Sequence, residues 1–175
     1  MREVIQLTNN KYLNIKEVRD PENHINGYQF AERLGVDSVA FICVDKKRQA
    51  MFLLNHESKP PIGPFLTTAF GGSLDKEKCA EEIVMAEVKE EAGYVVRLTD
   101  IKFLGKQFVS TQMNQFCYLY LVFVDKDNVE ERAPENALEA SAEPVWWSRN
   151  AVMDSQDWKA IAIIAKAEHQ GLLNQ

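Results

Sequence analysis

The chain has 175 residues and a mass of 20.0 kDa, a length that predicts one domain with room for a short appendage. Its hydrophobic content of 46% supplies an ordinary core and excludes disorder as the main state. With 20 Lys+Arg against 26 Asp+Glu the net charge is -6, which removes the broad positive field that drives nucleic-acid polymer binding and leaves small polar substrates open.

The N-terminus, Met1 to Gln6, runs into polar Thr8, Asn9, Asn10 and Lys11, so no signal-peptide core is expected. Tyr12, Ile15 and Val18 lack clean alternation, while Asn26-Gly27 is the pair that favours a two-residue hairpin turn; residues 1–34 therefore read as a β-ribbon extension. Val36 to Val44 and Gln49 to Leu54 are rich in β-branched and aromatic residues and flank Asp45-Lys46-Lys47-Arg48, which predicts a hairpin. His56 to Pro64 holds Pro60, Pro61, Gly63 and Pro64 and predicts a solvent-facing loop before a strand over Thr67 to Phe70, ended by Gly71-Gly72.

From about Lys76 to Ala92 the pattern is helical, with Ser73 or Asp75 as N-cap and Gly93 suited to the left-handed position after the last turn. Strands follow at Ile101 to Val109 and Phe116 to Val124; the latter is the longest apolar run and too short to span a bilayer as a helix, so no membrane partner is expected. Asp125 to Glu143 reads as a long acidic loop. Val145 to Trp147 is a short strand on which Trp146 and Trp147 must face opposite ways, and Ser155 opens a final helix that ends at Gly171. Cys43, Cys79 and Cys117 are far apart and form no C-x-x-C pair, which suggests a reducing, cytoplasmic setting. His24, His56 and His169 have no ligand spacing.

One helix carries acids where its apolar stripe should continue. At about 100° per residue, Glu90 and Glu91 fall on either side of Glu87, on the face that also holds Ala80, Ile83 and Val84, while Lys78, Glu81, Glu82 and Lys89 lie opposite. Acids three and four apart repel, and in a last turn they also oppose the helix dipole. A hard divalent cation held by these oxygens, most simply Mg²⁺ with several waters, reverses that penalty.

Gly72 followed by Glu87-Val88-Lys89-Glu90-Glu91-Ala92-Gly93-Tyr94 resembles the Nudix box, G-x5-E-x7-R-E-U-x-E-E-x-G-U with U a bulky apolar residue, at seven of nine fixed positions. Lys78 stands where the box has its first Glu, with Glu77 one place early, and Ala86 stands where it has Arg. The resemblance implies an α/β fold, a Nudix-like α/β/α sandwich with a mixed β-sheet over residues 35–175, plus the N-terminal β-ribbon. It also implies metal-dependent hydrolysis of a nucleoside diphosphate linked to another moiety, with Glu87, Glu90 and Glu91 as ligands of Mg²⁺ or Mn²⁺ and one of them as a possible base.

The order of elements looks most like the ADP-ribose and nucleotide-sugar pyrophosphatases, although Ser110 stands where ADP-ribose hydrolases commonly carry proline. In that group a Glu on a late loop acts as general base; Glu135, Glu139 and Glu143 are available, with Glu139 preferred. Lys59 lies where related hydrolases place a cation for the phosphates, and Gly71 and Gly72 let the backbone approach the diphosphate. Tyr28, Phe30, Phe116 and Tyr118 are candidates to stack on a base. The ribbon of that group often takes part in a homodimer. A (d)NTP, dinucleoside polyphosphate or NADH-type hydrolase and a weakly active nucleotide-binding regulatory module are the alternatives.

Overall fold

The computed structural model describes residues 1–33, 37–59, 61, 63–74 and 78–173. The first three strands, β1 (Glu3–Gln6), β2 (Leu13–Asp20) and β3 (Ile25–Arg33), form a separate antiparallel sheet in the order β1-β2-β3. The turn between β2 and β3 is a 3-10 turn at Pro21–Asn23 closed by His24 at φ 58. Asn26-Gly27, expected as that turn, instead lies inside β3 at a register shift, where Gly27 takes φ +84. Gly27 alone takes the left-handed conformation, and it makes a bulge within the strand rather than the expected hairpin turn.

The second sheet has β4 (Ser38–Asp45), β5 (Met51–Lys59), β8 (Ile101–Phe108), β9 (Phe116–Val124) and β10 (Glu143–Ser148) in the order β10-β5-β4-β9-β8. Two further strands pair off this path, β6 (Gly63–Thr68) with β5 and β7 (Phe70–Ser73) with β4. The β4–β9 pair is parallel and its neighbours are antiparallel, so the sheet is mixed as expected. β4 is buried along almost its whole length because both of its faces are covered.

The expected loop over His56 to Pro64 is mostly strand: His56 pairs with Thr67, Glu57 with Leu66 and Lys59 with Gly63. The chain around Pro61 makes only the tip of this hairpin, and Pro60 and Ile62 of the expected loop lie outside the described residues. Gly71 and Gly72 do not end a strand; they lie within β7, opposite Ala40 and Val39.

Helices close both faces. On one, α4 (Trp158–His169) buries Ala160, Ile163 and Ile164 against Ile42, Leu54 and Leu121. On the other, α1 (Ala80–Glu87) buries Ile83 and Val84 against Phe41, Leu53 and Tyr120. Asp157 caps α4 in place of Ser155, accepting from the Lys159 N–H, and Ser148 caps the short α3 (Arg149–Met153) before it. Cys79 occupies the cap position of α1; of the caps expected, Ser73 is in β7 and Asp75 lies outside the described residues, as do Glu77 and Val36. The long acidic segment is irregular apart from α2 (Ala137–Ala140). Trp146 packs with the α1 side and Trp147 with the α4 side, as alternation requires. Among the described residues no helix is long and apolar enough to cross a membrane.

Candidate active site

After Glu87 the helix widens into one π turn, Val88–Ala92, which ends on Gly93 at φ 76 donating its N–H to the Val88 carbonyl. The wider turn departs from the ideal projection used on the sequence, and such turns recur at functional sites. Its effect is to separate the two neighbouring acids. Glu91 is buried, 7% exposed, at the floor of a cleft of about 390 Å³, whereas Glu90 is half-buried and is not part of the lining.

The β7 edge sets the roof over this turn. A Cβ added to Gly72 would stand 2.6 Å from Glu87 Oε1 and 2.9 Å from its Cγ, so only glycine lets that carboxylate lie under the strand. The Gly71 N–H donates to Glu91. Gly71 and Gly72 thus hold the acids of the helix in addition to leaving the backbone open in the cleft.

Burial first, and then the charges of Glu87, Glu57 and Glu139, push the Glu91 carboxyl up to about 8, against the smaller opposing effect of the Gly71 N–H. Its Oε2 is buried without a hydrogen-bond partner. Glu57 was not singled out in the sequence because it falls in the stretch read as loop. It follows Leu53 and Asn55 at two-residue spacing on β5, is buried, and lines the cleft. Strand continuity through His56 and Glu57 was the available signal.

Glu139 and Lys59 also line the cleft. Glu139 sits in α2, where its carboxylate accepts from the Glu135 N–H at 2.7 Å and from the Asn136 side chain. Lys59 forms an ion pair with Glu57 at 2.5 Å. Arg33, whose Nη2 donates to Ser73 Oγ at 2.9 Å, and Lys159 are two further cations of the lining that sequence reading passed over. They come from the far end of the ribbon and the start of α4, and no local motif ties them to the box.

The loop that carries Glu139 is fastened to the π turn. Glu130 N–H donates to the Gly93 carbonyl at 2.7 Å and Ala133 N–H to the Glu90 carbonyl at 3.2 Å. Arg132 donates to the carbonyls of Ala142 and Glu139 at 2.6 and 2.8 Å. A Cβ at Gly93 would meet the Glu130 carbonyl at 2.8 Å, so this glycine serves both the helix end and the loop contact.

Tyr28 and Phe30 are not brought to this cleft within one chain. They line a separate pocket on the ribbon, where the Tyr28 hydroxyl donates to the Thr111 carbonyl at 2.9 Å. Phe116 and Tyr118 lie beside Lys106, which stands 4.1 and 5.0 Å from their ring centres. Lys78 is exposed, but it precedes the Cys79 cap and so lies outside the helix on which the sequence projected it, because that helix begins at Ala80 and not near Lys76.

Among the described residues no three His, Cys, Asp or Glu side chains are grouped closely enough to hold a cation by themselves. The donor set nevertheless fits a hard divalent ion, because Mg²⁺ is commonly held by one or two carboxylates with waters and phosphate oxygens completing its shell. The buried, unpartnered Glu91 oxygen among mutually repelling acids is the feature that such an ion would relieve.

An α/β/α sandwich with a mixed sheet and acids held beneath a Gly-Gly strand defines the class of protein. The family comparison agrees: the NUDIX domain model matches residues 35–166, and the chain belongs to the Nudix family. It is 31% identical over 98 residues to an uncharacterized Nudix hydrolase of Schizosaccharomyces pombe, a match that spans 51% of this chain and 48% of that protein. This chain therefore aligns with about half the length of that relative. A solved structure titled as an ADP compounds hydrolase superposes with a TM-score of 0.74 at 14% identity, covering 97% of this chain and 94% of the other, and it shares the fold.

Proposed function

We propose that the chain is a divalent-cation-dependent pyrophosphohydrolase that cleaves a nucleoside diphosphate linked to another moiety, with ADP-ribose and nucleotide sugars as its first substrates and Mg²⁺ or Mn²⁺ as cofactor. The observation that carries this reading is Glu91, buried among Glu87, Glu57 and Glu139 beside the Gly71-Gly72 strand with its Oε2 lacking a hydrogen-bond partner. The name of the fold neighbour supports the choice of ADP-linked compounds.

In this mechanism Glu87, Glu90 and Glu91 would be the residues that hold the cation, with Glu91 the one of the three that lines the cleft. When bound, the ion neutralises charge on the pyrophosphate and makes water more acidic. Gly71 and Gly72 bring backbone close to the diphosphate, and Lys59, Arg33 and Lys159 offset its negative charge as it enters an acidic cleft. Glu139 accepts the proton of the attacking water. Its two loop donors orient the carboxylate while leaving it capacity to accept further bonds. The products are a nucleoside monophosphate and a phosphorylated second moiety.

A division of labour into residues 1–34 as ribbon and 35–175 as hydrolase accompanies this reading, and so does a homodimer through the ribbon. Val4, Leu7, Tyr12, Leu13 and Tyr28 leave apolar surface exposed there, and sedimentation of the intact chain tests the dimer. Three free cysteines, two of them buried, fit a cytoplasmic setting.

The deciding experiment is product release from ADP-ribose, nucleotide sugars, dinucleotides and NTPs with Mg²⁺ or Mn²⁺, with Glu91→Gln as control. Release of AMP or another monophosphate that needs Glu91 upholds the reading. Silence across the panel with intact nucleotide binding replaces it with a regulatory module.

A further inference from the structure

Asp20 closes β2 at the position before the 3-10 turn, where an aspartate ordinarily accepts a backbone N–H of the turn that follows. It makes no such bond. The residue is 7% exposed; its Oδ2 accepts from the Asn23 amide at 2.8 Å, and its Oδ1 is buried without a hydrogen-bond partner. Capping therefore does not account for this carboxylate, and a buried oxygen left unmet is costly.

Asp20 lines a pocket of about 460 Å³ between the ribbon and the loop that joins β8 to β9. The pocket shares no lining residue with the cleft. Bonds across the junction hold it: the Ala31 N–H donates to the Gln112 carbonyl at 2.8 Å, the Asn114 N–H to the Ala31 carbonyl at 3.3 Å, and the Tyr28 hydroxyl to the Thr111 carbonyl at 2.9 Å. Val18, Phe30 and Met113 give apolar wall, and Tyr28 adds a second ring. The polar part of the lining is rich in acceptors. Asn23 and Asn114 commit their amide nitrogens to Asp20 and Glu32, which leaves their oxygens to accept, and the Thr111 carbonyl has a second lone pair. Among the described residues Arg2, which is exposed, is the one cation of this lining.

We propose that this pocket binds a primary ammonium group carried on a short aliphatic stem. An ammonium brings three donors and no acceptor, its charge meets the carboxylate, and aromatic rings attract it. A guanidinium fits less well, because its fork pairs best with two open carboxylate oxygens and Asn23 already holds one of them. An anion would meet the charge of Asp20. Arg2 opposes a second positive charge in the same volume, so a monoamine is preferred to a diamine, and an amine ending in a carboxylate to both. Such an ammonium has two sources, a free small amine or a lysine of a second copy of this chain. The proposal does not depend on the hydrolase reading.

Calorimetric titration of the intact protein with butylammonium at constant ionic strength tests it. Binding should be saturable and one-to-one, with Kd on the order of 1 mM. Butanol should not bind, butylguanidinium and putrescine should bind more weakly, and γ-aminobutyrate more tightly. Asp20→Asn keeps the shape and an oxygen for the Asn23 amide; it should weaken butylammonium by about 10-fold or more, and Phe30→Leu by about 3-fold. A melting temperature of Asp20→Asn close to wild type separates lost charge from lost folding, and the ligand series on wild type needs no variant. Sedimentation then names the source. A dimer that dissociates with butylammonium and in Asp20→Asn, but not with butanol, assigns the ammonium to a lysine of the second copy; binding with an unaltered oligomeric state assigns it to a free amine. Equal binding by wild type and Asp20→Asn overturns the proposal, as does an equal response to butanol. So does the lack of saturable binding together with an oligomeric state indifferent to Asp20→Asn.

Discussion

On one face of the main sheet α4 buries Ala160, Ile163, Ile164 and Ala167 among aliphatic partners. On the other face α1 and the turn after it bury Ile83, Val84 and Val88, and then carry a carboxylate, Glu91, to the same depth. The first helix follows its apolar stripe to the end because cohesion is its task. The second abandons the stripe in its last turn, and burial among like charges shifts Glu91 to about 8. Against an ordinary Glu, a shift of that size corresponds to on the order of 5 kcal/mol withheld from the metal-free fold above that pH. Both faces carry a full apolar core, and the α1 side alone adds a buried carboxylate to it.

The largest expected effect separates these two roles at one residue. Glu91→Gln should lower activity by on the order of 10²–10³-fold, since it removes a charge that the cation needs. The same change should raise the melting temperature of chelator-treated protein at alkaline pH. The sign follows from the raised folded value: between the ordinary carboxylate range and about 8 the folded state keeps a proton that the unfolded state has lost. Metal-free wild type therefore loses stability as pH rises through that interval, and Glu91→Gln should flatten this part of the profile in urea titrations. A parallel pair of profiles would show that the acid is not strained.

Ile163→Ala is the counterpart on the α4 side. It should cost about 2–5 kcal/mol in denaturant titration, as truncation of a fully buried Ile does, while kcat below the new melting point stays near wild type. Gly72→Ala should fall between the two. Its added methyl displaces the Glu87 carboxylate, so activity should drop about 10- to 100-fold with little change in melting temperature. A large melting change with unaltered activity would show that the strand had moved and the acid had not. Lys78→Glu should be the smallest, within about 2-fold in activity, because the side chain is exposed and precedes the Cys79 cap of the helix.

Residues with a local period could be read in advance. The box helix, the β4–β5 hairpin, the two long strands β8 and β9, and the opposed Trp146 and Trp147 all follow from patterns within about ten neighbours. Glu57 was legible only by extending the alternation of Leu53 and Asn55 past the expected strand end, against the prolines near the hairpin tip that made the stretch resemble loop. Asn26-Gly27 does not make the expected turn, since the 3-10 turn at Pro21–Asn23 has already reversed the chain and only Gly27 of the pair is left-handed. The projection that put Glu87, Glu90 and Glu91 together assumed an ideal helix, and one π turn is enough to bury the last of them and leave its neighbour outside the cleft lining. Arg33 and Lys159 reach the cleft only through tertiary folding, from segments more than a hundred residues apart.

The hydrogen bonds that join Glu130 to Gly93 and Ala133 to Glu90, together with Arg132 across the base of α2, make the acidic segment and the box helix one piece of scaffolding. A protein engineer who exchanged that segment for the loop of another enzyme would inherit more than a new specificity. The graft would arrive without the struts that hold the end of the box, so the segment and the helix have to be transplanted together.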